Sequence, residues 1–316
     1  MRQHVEKFGR PRILLVGCGD VGLRLLPLLA PRYRVFALTR QGLHSPAAAA
    51  IRAAGGIPIY GDLDQPRTLQ RLRGLASTCI HLAPPPNQGN DDPRTQHLLS
   101  ILSRGLKTAS NPTRQTLLYI STSGVYGDCA GAWIDETRPL HPESARAARR
   151  VAAERRVRAF GKPQRQHPAH ATQTRQVSIL RVPGIYAAER LPLARLQAGT
   201  PALCDADDVY TNHIHADDLA HICRAALWHG RPQRVYHASD DSEMKMGAYF
   251  DAVAQAFGLA AAPRLPRDQL AQVVNPNLLS FMRESRRLKN TRLKTELGYR
   301  LRYPTVQAFL QAPHGR

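Results

Sequence analysis

Residues 17–22 read Gly17-Cys18-Gly19-Asp20-Val21-Gly22, a G-x-G-x-x-G placed directly after the apolar run Ile13–Val16 and at the head of a helical pattern. Such a turn has a use for each glycine. The first permits the tight bend, the second lets the backbone approach a pyrophosphate, and the third lets helix and strand pack closely. Free N–H groups and the dipole at the helix N-terminus then favour an anion at that point. Gly17, Gly19, Asp20, Val21 and Gly22 are therefore candidate cofactor-binding residues, and the cofactor is expected to be a dinucleotide.

The end of the next strand bears on which dinucleotide. An acid there would hold the ribose of NAD, but the sequence reads Leu38-Thr39-Arg40. Arg40 suits a 2′-phosphate, so NADP is favoured, with NAD left open. After the third strand, Gly61-Asp62-Leu63-Asp64 has two readings. Asp62 either reaches the adenine amine or serves as a turn and helix cap.

These residues need a scaffold, and hydrophobic periodicity supplies one. Strands are expected at Ile13–Val16, Arg34–Leu38, Ile57–Tyr60, Thr78–Leu82, Thr116–Ile120 and Val177–Val182. Helices are expected between them at Val21–Leu29, Ala47–Ala54, Thr68–Arg73, Thr95–Lys107 and Glu143–Phe160. Alternation of this kind demands parallel crossovers, hence an α/β, doubly wound parallel sheet with helices on both faces. Gly161 to Gln176 reads as an exposed insertion. Helices are also expected at Leu219–Leu227, Met244–Phe257, Pro266–Val274, Lys289–Leu297 and Tyr303–Leu310, linked in the tail by proline-bearing loops.

Composition narrows the class. The chain has 316 residues, 43% hydrophobic and 22% charged, with a formal net charge of +20. That excludes an acidic disordered protein, and no apolar run reaches the ~18 residues of a membrane span. The run after the charged N-terminus is too short for a secretory leader and reads as a first strand. Five scattered cysteines without a C-x-x-C point to a reducing, cytoplasmic setting rather than to disulfides or zinc. The positive charge is nearly all arginine, which suits a solvated surface or anionic substrates. Aromatics are 6% and no nucleic-acid motif is present, so a nucleic-acid partner is not expected. There is no G-x-S-x-G elbow, which argues against a hydrolase.

Several segments in order give the chain a family likeness. They are the glycine motif, Gly61-Asp62, His81-Leu82-Ala83-Pro84, Ser121-Thr122-Ser123-Gly124-Val125-Tyr126-Gly127, Arg181-Val182-Pro183-Gly184-Ile185-Tyr186, and Asn212-His213-Ile214-His215-Ala216-Asp217-Asp218-Leu219-Ala220. With them the chain resembles the extended short-chain dehydrogenases/reductases, among which are NAD-dependent epimerases and dehydratases of nucleotide-sugars. The resemblance implies a Rossmann cofactor domain over 10–185, to which 209–240 returns, and a smaller, mostly helical substrate-side region over 186–316. It adds Leu82, Ala83 and Pro183 to the cofactor-binding set, and it implies a small-molecule substrate and, often, a homodimer.

The family's chemistry uses a Ser/Thr, a Tyr and a Lys. The resemblance assigns the hydroxyl to Thr122. The segment P-x-S-x-Y-x-x-x-K-x-x-x-E is matched by Pro142 to Glu154, but Arg146 stands at the tyrosine position and Arg150 at the lysine position. Thr122, Arg146 and Arg150 are thus the candidate catalytic residues of an atypical branch. A phenol can give and take a proton, whereas a guanidinium has donors only and stays charged. Arg150 can keep the electrostatic part of the lysine's role, but Arg146 cannot be the acid/base. Spacing i, i+4 puts both on one helix face, where they make either an anion clamp or a solvated surface.

Three readings follow. The chain is an enzyme with a non-standard proton donor, for which Tyr126, Tyr186 and His215 are candidates, or it is a catalytically silent NADP(H)-binding sensor or scaffold. The third, a polyanion binder, rests on charge alone. Elsewhere, His213-x-His215 with Asp217 reads as a sheet-to-helix connection in preference to a metal site, and Asp205, Asp207 and Asp208 read as a solvated loop. Cys18 reads as a small residue in a tight turn, although its place at a helix N-terminus can lower a thiol pKa.

Overall fold

A computed structural model describes residues 9–104, 114–162 and 174–312. In chain order the first half runs β1 (Arg12–Val16), α1 (Asp20–Leu29), β2 (Arg34–Thr39), α2 (Pro46–Ala53), β3 (Ile57–Tyr60), β4 (Thr78–His81), α3 (Pro93–Arg104) and β5 (Gln115–Thr122). The second half runs β6 (Trp133–Ile134), α4 (Ala145–Phe160), β7 (Arg175–Val182), β8 (Gly184–Tyr186), α5 (Leu193–Gln197), β9 (Ala202–Leu203), β10 (Tyr210–Thr211), β11 (His213–His215), α6 (Ala216–His229) and β12 (Arg234–His237). The tail adds α7 (Met246–Ala256), α8 (Arg267–Val273), α9 (Pro276–Phe281), α10 (Thr291–Thr295) and α11 (Val306–Gln311).

Seven strands form one sheet in the order β12-β7-β5-β4-β1-β2-β3. The pairings of β1 with β2 and β4, of β2 with β3 and of β4 with β5 are parallel. This is the doubly wound α/β architecture. Central strands are buried on both faces, so β1 is an unbroken apolar run after Arg12, and β4, Thr78 to His81, is buried after its first residue.

Element ends differ from expectation where side chains cap them. Ser45 Oγ accepts from Ala48 N (3.3 Å), Asp92 Oδ1 from Thr95 N (3.2 Å) and Ser144 Oγ from Ala147 N (3.2 Å). Each satisfies an orphan helix donor and fixes the first turn. α3 therefore begins at Pro93, and α4 at Ala145 rather than Glu143. The segment expected as a helix over Thr68–Arg73 is a 3-10 helix, Pro66–Leu72. β7 begins at Arg175, two residues inside the expected insertion, whose residues 163–173 lie outside the described residues, as does Lys107. His213–His215, expected as a connection, is a strand paired in parallel with β8.

By packing, the chain divides into two units. Unit 1 comprises 1–120, 152–179 and 223–234, and unit 2 comprises 121–151, 180–222 and 235–316. The core of unit 1 is built on β1, α1 and β2, with Leu14, Leu15, Leu25 and Ala37 at most 1% exposed. Unit 2 has one apolar cluster around Tyr186, Phe250, Val253 and Phe309, and another around Val125, Tyr126, Val151 and Leu288. Among the described residues no helix is long and apolar enough to cross a membrane.

Candidate functional site

In unit 1 the glycine turn is held by backbone. Val16 O accepts from both Leu82 N (2.7 Å) and Ala83 N (3.1 Å), which draws the chain after β4 across the turn. Gly17 has φ +90°, and a Cβ there would lie 2.4 Å from Ala83 N and 2.8 Å from Leu82 C. Only glycine fits. A Cβ on Gly22 would stand 3.1 Å from Gly17 O, so helix and turn are close. At Gly19 a Cβ would meet nothing within 4 Å, which leaves open space over the turn. Gly19 also begins α1 without a side-chain cap, while Asp20 pairs with Arg24 at 2.7 Å. The structure thus brings Gly17, Gly22, Leu82 and Ala83 together beside an open backbone surface, with Asp20 and Val21 in the first turn of α1. That is a surface a pyrophosphate can occupy. Burial pushes the Cys18 thiol up to about 11, the opposite of an activated cysteine.

Arg40 is exposed just beyond β2. Asp62 Oδ1 accepts from Asp64 N (2.9 Å), and Asp62 N donates to Thr68 Oγ1 (2.8 Å), so Asp62 shapes a turn. Asp64 is gripped by Arg94, whose Nε and Nη2 donate to its two oxygens at 2.7 and 2.6 Å. That pairing, with a smaller contribution from Arg40, holds the Asp64 carboxyl below the usual range. Arg94 Nη1 also donates to Pro84 O and Pro85 O, both at 3.2 Å, so one side chain ties the loop after β3 to the loop after β4. Nothing local in the sequence marks Arg94 for this. Behind it, Thr95 Oγ1 donates to Asp92 (2.6 Å) and so accepts from His81 Nε2 (2.9 Å), a buried chain that anchors the end of β4.

In unit 2, Thr122 ends β5 and its Oγ1 accepts from Gly124 N (3.3 Å), opening a 3-10 turn over Ser123–Tyr126. Arg286 Nη1 donates to Gly127 O (2.8 Å) and to Glu284 Oε2 (2.7 Å), which ties the segment before residues 287–288 to this turn. Arg146 is exposed by area and Arg150 half-buried on α4, while Arg149 is buried. Protein around the Arg146 guanidinium disfavours its charge and lowers its pKa. Glu284 opposes the shift; Arg286, Arg149 and Arg150 add to it. Pro183 is half-buried in the link between β7 and β8.

Of the three candidate proton donors, Tyr126 is hydrogen-bonded, His215 packs among aromatic rings, and Tyr186 is buried near Asp240. Tyr126 is 1% exposed. His237 Nδ1 donates to Lys289 O (2.9 Å), so its Nε2 accepts from Tyr126 OH (2.6 Å), and Arg181 Nη1 donates to the same phenol oxygen (2.6 Å). Burial lowers His237 to about 3. His237 N donates to the buried Glu136 (3.0 Å), whose carboxyl is raised chiefly by burial. Burial and the nearby Asp240 raise the Tyr186 phenol, and Asp240 itself is pushed up to about 7, chiefly by burial. His213 stacks on Tyr249 at 4.4 Å and is lowered to about 3 by burial. His215 packs against Tyr186, Tyr303 and Phe309. Among the described residues no three His, Cys, Asp or Glu side chains group as a metal site.

Comparison with known proteins follows the same lines. The sequence model of the NAD dependent epimerase/dehydratase family matches residues 13–239. No curated protein sequence matches the chain. Among solved structures, a functionally unknown conserved protein from Silicibacter pomeroyi is 27% identical, with 96% of this chain and 97% of that one covered at a TM-score of 0.74. A dTDP-glucose 4,6-dehydratase from Bacillus anthracis, solved with NAD, is 17% identical, with 95% and 94% covered at 0.71. A dTDP-glucose 4,6-dehydratase from Streptomyces venezuelae, also with NAD, is 22% identical, with 92% of each chain covered at 0.68. The last two share the fold.

Proposed function

The chain belongs to the NAD-dependent epimerase/dehydratase family, and on that premise we propose that it binds a nicotinamide dinucleotide, NADP in preference to NAD, and acts on a nucleotide-sugar or other anionic hydroxyl or carbonyl substrate with a non-standard proton donor. The observation that carries the cofactor reading is the contrast between Gly17, which has no room for a side chain, and Gly19, which faces open space at an uncapped helix start. That is the cradle a diphosphate needs. Exposed Arg40, with no acid at the end of β2, supports the 2′-phosphate. Leu82 and Ala83 wall the turn.

When bound, the cofactor supplies hydride exchange at a substrate carbon. This chain's residues do the rest. Thr122 offers a hydroxyl to a substrate oxygen, Arg150 a fixed charge and donors to a ribose, and Arg146 a clamp for an anionic substituent. The nucleotide-sugar class is supported by the dehydratases of the same fold. A second reading, a silent cofactor-binding sensor in a reducing, cytoplasmic setting, is favoured by the guanidinium at position 146, which cannot exchange a proton.

The test is fluorescence titration with NADPH and NADH. Wild-type protein should bind NADPH about tenfold tighter than NADH, and Arg40→Ala should level the two, each tenfold corresponding to one lost charge-assisted contact. Gly19→Asp should fold normally yet lose about 100-fold in affinity, since its carboxylate would occupy the pyrophosphate's place. Wild-type protein that binds neither coenzyme, or Gly19→Asp with intact affinity, would remove the site.

A further inference from the structure

In a parallel sheet every strand starts on one edge, and in unit 1 that edge lies opposite the glycine turn. Arginine is placed there repeatedly. β1, β2, β7 and β12 begin with Arg12, Arg34, Arg175 and Arg234, and Arg114 stands directly before β5. Gln115 N donates to Thr174 O (2.9 Å) and Gln233 N to Val177 O (2.7 Å), so β5, β7 and β12 start side by side. At about 4.8 Å between neighbouring strands, the five intervals from β12 to β2 spread these starts over roughly 24 Å. The acids are elsewhere. Among the described residues of unit 1, Asp20, Asp62, Asp64, Asp91 and Asp92 all follow the C-terminal ends of β1, β3 and β4, and the remaining one, Glu154, is 1% exposed.

Part of this charge belongs to the helix ends that meet the same edge. Arg10 Nη1 donates to Ala30 O (3.0 Å) and Arg73 Nε to Arg104 O (3.0 Å), each answering a carbonyl at a helix C-terminus. Arg12, Arg32, Arg34 and Arg114 do no such work. They are exposed and make no hydrogen bond or ion pair among the described residues. Arg12 and Arg34 are partners in register, so their side chains leave one face of the sheet as adjacent like charges. That arrangement is destabilising, and a bridging anion relieves it. A solvated charge has no need of a fixed orientation, yet two of these guanidiniums have one. Arg34 lies over Phe36 at 5.7 Å, and Arg32 lies 5.5 Å over Trp228. That indole is 41% exposed, donates to Tyr33 OH (3.0 Å) and carries Arg224 over it as well, at 5.3 Å. Stacking fixes the plane of a guanidinium and leaves its N–H rim for an outside acceptor.

We propose that this edge of unit 1 binds a nucleic-acid strand through its phosphates, without reading its bases. A row of arginines matches a row of phosphates, because each guanidinium fork takes phosphate oxygens bidentately and displaces counterions from the strand. An anionic membrane would meet the same charge, but an interfacial site also needs an apolar face beside its cations. Among the described residues the large hydrophobics exposed on this edge are Ile57 and Trp228, and the second is covered by two guanidiniums. No sequence motif marks the surface, because its arginines come from strand starts far apart in the chain and meet only in the sheet. The surface is separate from the cofactor cradle and does not depend on that reading.

The experiment is fluorescence anisotropy of a labelled 20-nucleotide oligo(U), titrated with the full chain at 50 to 200 mM KCl. Wild-type protein should bind with a log–log salt slope of about −2 to −3, as expected for three to four phosphate contacts on a single strand. The triple variant Arg12→Gln, Arg32→Gln, Arg34→Gln should bind about tenfold or more weakly at 50 mM and flatten the slope by about 2. Its circular dichroism spectrum should stay that of wild type. The control triple Arg67→Gln, Arg138→Gln, Arg300→Gln removes the same charge from exposed positions outside the row, and should bind within about threefold of wild type. Saturating NADPH should leave oligo(U) affinity unchanged. Equal losses in the two triple variants would mean attraction by net charge alone and would overturn the proposal. So would displacement of oligo(U) by NADPH, which would put the strand on the cofactor cradle, or the absence of wild-type binding at 50 mM. Poly-glutamate of the same length binding as tightly as oligo(U), or phosphatidylserine vesicles binding where oligo(U) does not, would overturn it in favour of an acidic protein segment or a membrane.

Discussion

The glycine turn of unit 1 is held by main chain and the Thr122 turn of unit 2 by side chains, and the two respond differently to sequence change. Around Gly17 the fixing contacts are Val16 O with Leu82 N and Ala83 N, and the tolerances are set by a positive φ and a missing Cβ. Almost any side chain elsewhere leaves that arrangement intact. Around Thr122 the fixing contacts come from Arg286, Glu284, Arg181 and His237, each brought from far along the chain. One region can therefore keep its ligand class while the other exchanges its chemical groups. A backbone cradle conserves binding, and a side-chain constellation lets chemistry drift.

The largest effect that could break this contrast is at Gly17. Gly17→Ala places a methyl 2.4 Å from a backbone nitrogen and forces φ +90° on an L-residue. Backbone cannot swing away as a flexible side chain can, so the cost should be about 4 kcal/mol. Gly19→Ala, which meets nothing, should cost less than about 0.5 kcal/mol. Urea unfolding followed by circular dichroism reads both. Equal losses at the two glycines would mean that the turn is not held as described.

Unit 2 should differ by being sensitive to pH through its buried charges. Asp240 is 5% exposed and its carboxyl is pushed up to about 7, chiefly by burial. In the unfolded chain it titrates near 4. The folded state thus holds a proton that the unfolded state has released, and stability falls as pH rises from about 4 to about 7. Above 7 the penalty is complete. Asp240→Asn, which keeps an acceptor for Ser242 N, should be more stable than wild type by roughly 4 kcal/mol at pH 8 and by nothing at pH 4. His213 and His237, both lowered to about 3, work the other way, losing stability as pH falls below about 6.5. They are common to both proteins, so they cancel in the difference. The loss in Gly17→Ala should not vary over that range, and a pH-independent gain in Asp240→Asn would erase the distinction.

The same contrast explains what could be read from residues alone. The glycine motif, the order of strands and the parallel sheet were legible, because each depends on spacing within some twenty residues. Arg146 and Arg150 were legible as departures from a segment pattern. Glu284 was not, because no local signal distinguishes it from the other carboxylates of an arginine-rich tail. Its position arises only when Arg286 reaches Gly127. Arg94 was hidden for the same reason. The strand His213–His215 escaped notice because its partner, Gly184–Tyr186, supplies half of the pattern. Helix starts shifted wherever Ser45, Asp92 or Ser144 competed for the first free amides.

Arg94 offers the smallest and sharpest test, since it is a side-chain clamp within unit 1. It grips Asp64 with two donors and two loop carbonyls with a third, but Asp64 is 43% exposed, so solvent screens the pair. Arg94→Gln should cost only about 0.5–1 kcal/mol, and the Asp64 carboxyl should rise towards its ordinary value. Because Asp64 is held low in the folded state, its contribution is present above the usual carboxylate range and is lost as pH falls through the folded value. The wild-type advantage should therefore fade in acid. An NMR titration of Asp64 beside urea unfolding at two pH values measures both. If Arg94→Gln costs as much as Gly17→Ala, the loops of unit 1 depend on side chains as heavily as those of unit 2, and the division between a backbone cradle and a side-chain constellation does not hold.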